Sequence, residues 1–125
     1  MKKIYLAIPY TGMEEKSMEV STRVAAHLTK LGHYVISPIT MSHPQSLVGD
    51  LPSDWEYWKG LDTWLISCCE EVWIVDVGMT KILESTGVQA EIEIAKNFNM
   101  PIKFIDADTL VMSNYEDVVG LNLAQ

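Results

Sequence analysis

The sequence predicts a three-layer α/β/α domain built on a doubly wound parallel sheet, and three observations carry that expectation. Short apolar runs alternate with longer segments whose apolar residues recur at helical spacing, the pattern of repeated strand, crossover helix and strand. The 125 residues suffice for one core and not for two, since domains usually run about 100 to 150 residues. A composition of 48% hydrophobic and 21% charged residues, with a mean hydropathy of +0.09, belongs to a chain that buries a core rather than to a disordered one. A single domain spanning residues 1–125 is therefore expected.

Ile4-Tyr5-Leu6-Ala7-Ile8, ending at Pro9, reads as a strand buried on both faces. From Gly12 to Leu31, Val20, Val24, Leu28 and Leu31 mark one long helix, with Gly32 as its stop. Tyr34 to Ser37 makes a short strand. The segment from Pro38 to Pro52 shows no period and is expected to be a long loop carrying His43, Leu47 and Val48. Trp55, Trp58, Leu61, Leu65 and Cys69 define a second helix, and Val72 to Val77 the clearest strand. Val88, Ile92, Ala95 and Phe98 define a third helix, which Pro101 ends before the strand Ile102 to Ile105. Leu110 to Met112 is expected as an edge strand, with a terminal helix from about Asn114. Right-handed crossovers between such strands put helices on both faces, giving a flavodoxin-like sheet of four to five strands.

Nine Lys and Arg against 17 Asp and Glu leave a net charge of −8. No basic surface exists to displace counterions, so neither a nucleic-acid polymer nor an anionic membrane is expected as partner. Cys68 and Cys69 are adjacent and close no structural loop, which points to a cytoplasmic protein. The apolar stretch after Met1-Lys2-Lys3 is too short for a signal sequence, and no run reaches the roughly 20 residues of a membrane span. The glycine-rich, Walker, zinc-protease and nucleophile-elbow motifs are missing. No cofactor is expected, and three scattered histidines offer no metal spacing.

Four helix starts carry Ser or Thr followed three residues later by Glu or Gln: Thr11 and Glu14, Ser53 and Glu56, Thr86 and Gln89, Ser113 and Glu116. Each reads as a capping box. Those at Thr11 and Thr86 follow strands, so the loops Pro9 to Met13 and Gly78 to Gly87 are expected at the carboxyl edge of the sheet, where open α/β sheets bind ligands.

Glu91 falls one turn into the third helix on the side of Val88 and Ala95, at the buried margin. Spacing alone is met better by an ordinary acid favoured by the helix dipole. Asp62 lies within or beside the apolar face of the second helix, where an unpartnered acid is costly; pairing with Lys59 is the equal alternative. Ser85 and the N–H groups of Gly87 and Val88 are placed to hold an anion or simply to start the helix. Tyr5 reads as core, Tyr10 as a stacking platform, His43 as a loop surface residue, and Trp55 and Trp58 as core.

These residues together resemble the nucleoside 2-deoxyribosyltransferase superfamily, including its 2′-deoxynucleoside 5′-monophosphate N-glycosidase branch. The resemblance runs from Lys3 to about Ile105. It rests on Ile4-Tyr5-Leu6-Ala7, on Leu61-Asp62-Thr63-Trp64-Leu65, and above all on Ser85-Thr86-Gly87-Val88-Gln89-Ala90-Glu91-Ile92-Glu93-Ile94-Ala95. The last is similar to the family's Gly-x-x-x-Glu-[Ile/Leu]-Gly-x-Ala segment. Met41-Ser42-His43-Pro44 is similar to an uncharacterised bacterial and phage branch. The resemblance implies Glu91 as nucleophile on the anomeric carbon, Tyr5 as the hydroxyl that positions it, and Asp62 as a holder of the sugar or helper of the leaving base. It implies Ser85 and Gly87 at the substrate's 5′ end; Pro9, Tyr10, Thr11 and Gly12, from the loop at the sheet's carboxyl edge, and His43 are the further expected substrate-binding residues.

Deoxyribosyltransferases carry an acid where Ser85 stands, and the monophosphate hydrolases a Ser. Here Glu93 replaces the family's second Gly, and the loop Pro9 to Gly12 lacks the arginine that contacts phosphate in the animal hydrolases. The N–H groups of Gly12 and Met13, with Lys16 or Lys81, are then the expected phosphate contacts. The implied activity is hydrolysis of a nucleotide's N-glycosidic bond. Base exchange by a transferase and a non-catalytic nucleotide-binding or sensing module are the alternatives. A homo-oligomer is implied too, with Val118, Val119, Leu121 and Leu123 as its apolar contacts.

Overall fold

The computed structural model describes residues 1–123, with side chains described through Val119. Five strands form one sheet in the order β2-β1-β3-β4-β5: β1 (Lys3–Ala7), β2 (Tyr34–Ile36), β3 (Glu71–Asp76), β4 (Ile102–Asp106) and β5 (Met112–Asn114). The first four are parallel and β5 closes the edge antiparallel to β4. This is the expected three-layer, flavodoxin-like fold. The chain runs from β1 to β2 on one side and returns to place β3 on the other. The direction of winding therefore reverses at β1, and a crevice opens beyond the carboxyl ends of β1 and β3.

Alternation along β1 decides which layer each side chain enters. Ile4 and Leu6 pack with Val20, Val24 and Leu28 of α1 (Glu14–Lys30). Tyr5 and Ala7 face the other way, toward Leu65 and Ile66 of α3 (Trp55–Ser67) and Val88 and Ile92 of α5 (Thr86–Asn97). Gly32 ends α1 as expected: at φ +97° its N–H bonds to Thr29 O, while His33 N–H bonds to Leu28 O. That paired closure requires a left-handed residue.

Three expectations are corrected. The segment from Pro38 is not a long loop but a helix, α2 (Pro38–Gly49), with Pro44 inside it. Pro44 cannot bond to the Thr40 carbonyl, and the hydroxyls of Ser42 and Ser46 donate to Pro38 O and Ser42 O instead of continuing an amphipathic stripe. The Gly78–Gly87 loop contains a short helix, α4 (Met79–Glu84). The expected capping boxes also differ: Asp54 and Ser85, one residue from Ser53 and Thr86, cap α3 and α5 by accepting from Tyr57 N and Val88 N. Thr11 caps nothing, since Met13 stands at the α1 N-cap without a side-chain bond.

The terminal helix α6 (Tyr115–Leu123) follows β5. Val118 and Val119 are half-buried against the protein's own core, and Leu121 and Leu123 lie outside the residues whose side chains are described. Among the described residues no helix is long and apolar enough to cross a membrane.

At the amino-terminal edge of the sheet, Glu71 is 4% exposed. Its carboxylate accepts from Lys2 Nζ at 2.6 Å, Lys103 Nζ at 2.9 Å and Trp73 Nε1 at 2.8 Å. β1, β3 and β4 each lie beside or carry one member of this clasp, which no motif in the sequence announces.

Candidate active site

A cleft of about 600 Å³ occupies the crevice where the winding reverses. One side is the loop after β1, Pro9 to Met13, with Pro38, Ile39 and Ser42 of α2. Trp55 and Trp58 of α3 and residues 85–87 at the start of α5 form the other. Thr11 Oγ1 donates to Ser53 O at 3.1 Å, joining the two sides at the rim. Asp62 and Glu91 reach the cleft from α3 and α5.

Glu91 is buried because α5 turns the face bearing Val88, Ile92 and Ala95 to the sheet, and residue 91 shares its edge. Tyr5 comes up from β1 on the same face, and its hydroxyl donates to Glu91 Oε2. Asp62 shares the buried side of α3 with Leu65 and Ile66, and its Oδ1 is buried without a hydrogen-bond partner. The sequence-based pairing with Lys59 does not form, because Lys59 bonds Glu56 at 2.7 Å.

Burial pushes the Glu91 carboxyl up to about 8; the Tyr5 hydroxyl opposes this and the nearby Asp62 charge adds to it. Burial alone pushes Asp62 up to about 6. Tyr5 is raised well above its ordinary range by burial, then by the charges of Glu91 and Asp62, so it remains a hydroxyl. Two carboxyls with separated titrations, one held by a phenol, can supply a nucleophile and a proton donor.

Of the residues singled out in the sequence, Asp62, Glu91, Ser85, Gly87, Pro9, Tyr10, Thr11 and Gly12 line the cleft. Tyr5 and His43 stand behind its surface. His43 is not a loop surface residue: it is 4% exposed inside α2. The Gly12 and Met13 N–H groups are not open to a phosphate, being engaged by Glu14 Oε2 at 2.8 Å and Tyr10 O at 3.0 Å. Lys16 lies at a separate surface hollow beside Asp76 and Asp106, whereas Lys81 lines the cleft. Trp55 and Trp58, read as core from their spacing, are half-buried cleft residues. Trp55 lies over Gly87, where an added Cβ would meet its ring at 3.8 Å. The cue available in the sequence was their place at the amino end of a helix, at the same sheet edge as the loop after β1.

Among the described residues no group of three or more His, Cys, Asp or Glu is gathered to hold a metal. No curated protein matches the chain. A family model does match, over residues 2–107. That span takes in the whole cleft, and by it the chain belongs to the family described as a domain of unknown function, DUF1937.

Proposed function

We propose that this protein hydrolyses the N-glycosidic bond of a (deoxy)nucleoside 5′-monophosphate through a covalent glycosyl-Glu91 intermediate. The observation that carries the reading is the convergence of Tyr5, Asp62 and Glu91, from three separate elements, at one buried corner of the cleft. The resemblance of the segment around Glu91 to the deoxyribosyltransferase superfamily supports it.

In the first step the Glu91 carboxylate attacks the anomeric carbon while the bond from that carbon to the base nitrogen breaks. Between about 6 and 8 the two carboxyls hold one proton, mostly on Glu91; the reactive form is the one that carries it on Asp62, and the departing base takes it from there. In the second step the Asp62 carboxylate removes a proton from water, the oxygen bonds to the anomeric carbon, and Glu91 is released as carboxylate. The Tyr5 hydroxyl holds the attacking oxygen's partner in place throughout.

The substrate's 5′ end is assigned to the amino end of α5, where the Ser85 hydroxyl keeps its own proton to donate, with Lys81 beside it. The same reading carries a cytoplasmic homo-oligomer, which sedimentation at micromolar concentration measures.

The test is incubation with ribo- and deoxynucleosides and their monophosphates, with free base as readout. Base release by the native protein and its loss in Glu91→Gln are expected; release unaffected by Glu91→Gln sinks the reading. A free acceptor base added to the same mixture reports base exchange, the mark of a transferase.

A further inference from the structure

His43 belongs to no part of the chemistry above, yet both of its ring nitrogens are engaged. Its Nδ1 lies 2.8 Å from the Tyr10 hydroxyl and its Nε2 lies 3.2 Å from Glu15 Oε1. The two rings meet edge to face at 82°, with centroids 5.8 Å apart. A carboxylate only accepts, so Nε2 carries the hydrogen toward Glu15. In the neutral ring Nδ1 is then the acceptor for the Tyr10 hydroxyl.

We propose that His43 is a positioning residue that holds the Tyr10 ring as a fixed wall of the cleft, against which a planar heteroaromatic base lies. The inference rests on the glycosidic reading of the cleft for the identity of that base, its leaving group. Three elements are fastened by the one imidazole: the loop after β1 through Tyr10, α1 through Glu15, and α2 through His43 itself. The loop needs fastening, because Gly12, two residues on, sits at φ +87° with open space where a Cβ would be. Nothing in its own backbone fixes the Tyr10 side chain, whose hydroxyl meets Ser46 of α2 besides His43. Trp55 and Trp58 line the cleft as well, so a flat ligand finds aromatic surface on both sides.

The test uses the free bases adenine, guanine, cytosine and thymine. Each is titrated against the intact protein and followed by the change in tryptophan fluorescence, to which Trp55 and Trp58 in the cleft contribute. At least one base is expected to bind. His43→Ala and Tyr10→Phe should each weaken that binding about fivefold, the loss of one hydrogen bond's worth of order. The double variant should be no worse than either single, because His43 acts through Tyr10. His43→Gln, whose amide oxygen can accept from Tyr10, should recover most of the affinity. In turnover, His43→Ala should raise KM and leave kcat within about twofold.

Affinity unchanged in His43→Ala, losses that add in the double variant, or no base bound by the native protein would each overturn the proposal. Should His43→Ala not fold, Tyr10→Phe decides alone, with unchanged affinity as the negative result. Base binding weakened as expected in a protein that releases no base from any nucleotide counts against the glycosidic reading and leaves this wall standing.

Discussion

The hydroxyl of Tyr5 donates its hydrogen to Oε2 of Glu91, 86 residues away in sequence, where β1 passes beneath α5. Both groups are nearly free of solvent, so burial raises the carboxyl's titration and this bond opposes the rise. It is the one influence that pulls the Glu91 titration down, against burial and the Asp62 charge.

Removing that donor should therefore move the chemistry in a definite direction. In Tyr5→Phe the Glu91 carboxyl titrates above about 8, leaving less nucleophile at neutrality. Base release at pH 7 should fall by about tenfold, and the alkaline limb of the rate profile should move to higher pH.

The native profile itself follows from the pair. Below about 6 both Asp62 and Glu91 hold protons and the nucleophile is lost. Above about 8 neither does, and the proton donor is lost. Measured kcat/KM should be bell-shaped with its maximum at about pH 7, the limbs belonging to the pair rather than to single residues. Asp62→Asn should abolish the alkaline limb and leave a low activity that rises with pH.

Glu91→Gln should trade activity for stability. Base release should drop by about a thousandfold or more, as expected when a covalent nucleophile is removed. In the folded native protein Glu91 keeps a proton up to about 8 that the unfolded chain gives up near 4.5. The folded state thus binds more protons across that window, and stability falls as pH rises through it, with no further loss above. The amide has no such penalty. At pH 8 it should unfold about 1 to 4 kcal/mol later than the native protein, with the gain vanishing near pH 4.5 in denaturant titrations.

Glu71 has the opposite sign. Burial pushes its carboxyl up, but the bonds from Lys2, Trp73 and Lys103 outweigh that, and it ends below the usual range. Its contribution is present at neutral pH and is lost as pH falls through the depressed titration. Glu71→Gln should cost about 2 to 4 kcal/mol at pH 7, most of it through Lys103, since Lys2 is half exposed and screened. Base release per folded molecule should not change.

Under the proposed function, Lys81 is expected to separate nucleotide from nucleoside. It is the one Lys or Arg lining the cleft among the described residues, set against Asp54, Glu56 and Glu84 at the rim. Lys81→Ala should raise KM for a 5′-monophosphate by about tenfold and leave that for the matching nucleoside unchanged. Equal effects on both would place the 5′ end elsewhere.

The parallel strands were legible because each is covered on both faces and so reads as an uninterrupted apolar run, as β1 and β3 do. α1 and α5 were legible because their buried residues keep a helical spacing. α2 was not, because its pattern is inverted: Ser42 and His43 are buried while Leu47 and Val48 are exposed, and two prolines punctuate it. Glu91 could be placed from the side of the helix it shares with Val88 and Ala95, and Tyr5 from the alternation of β1. The phosphate contacts could not, since whether the Gly12 and Met13 N–H groups are spoken for depends on how the loop folds back on Glu14 and Tyr10. The Glu71 clasp joins residues 2, 71 and 103, a grouping only the strand order creates.

The clasp lies at the end of the sheet away from the cleft, and that separation has an evolutionary consequence. The ionic clasp sits at one rim and the cleft at the other, with five strands between them. On the proposed reading, loops around Glu91 and Asp62 can vary while the ionic lock joining three neighbouring strands goes untouched.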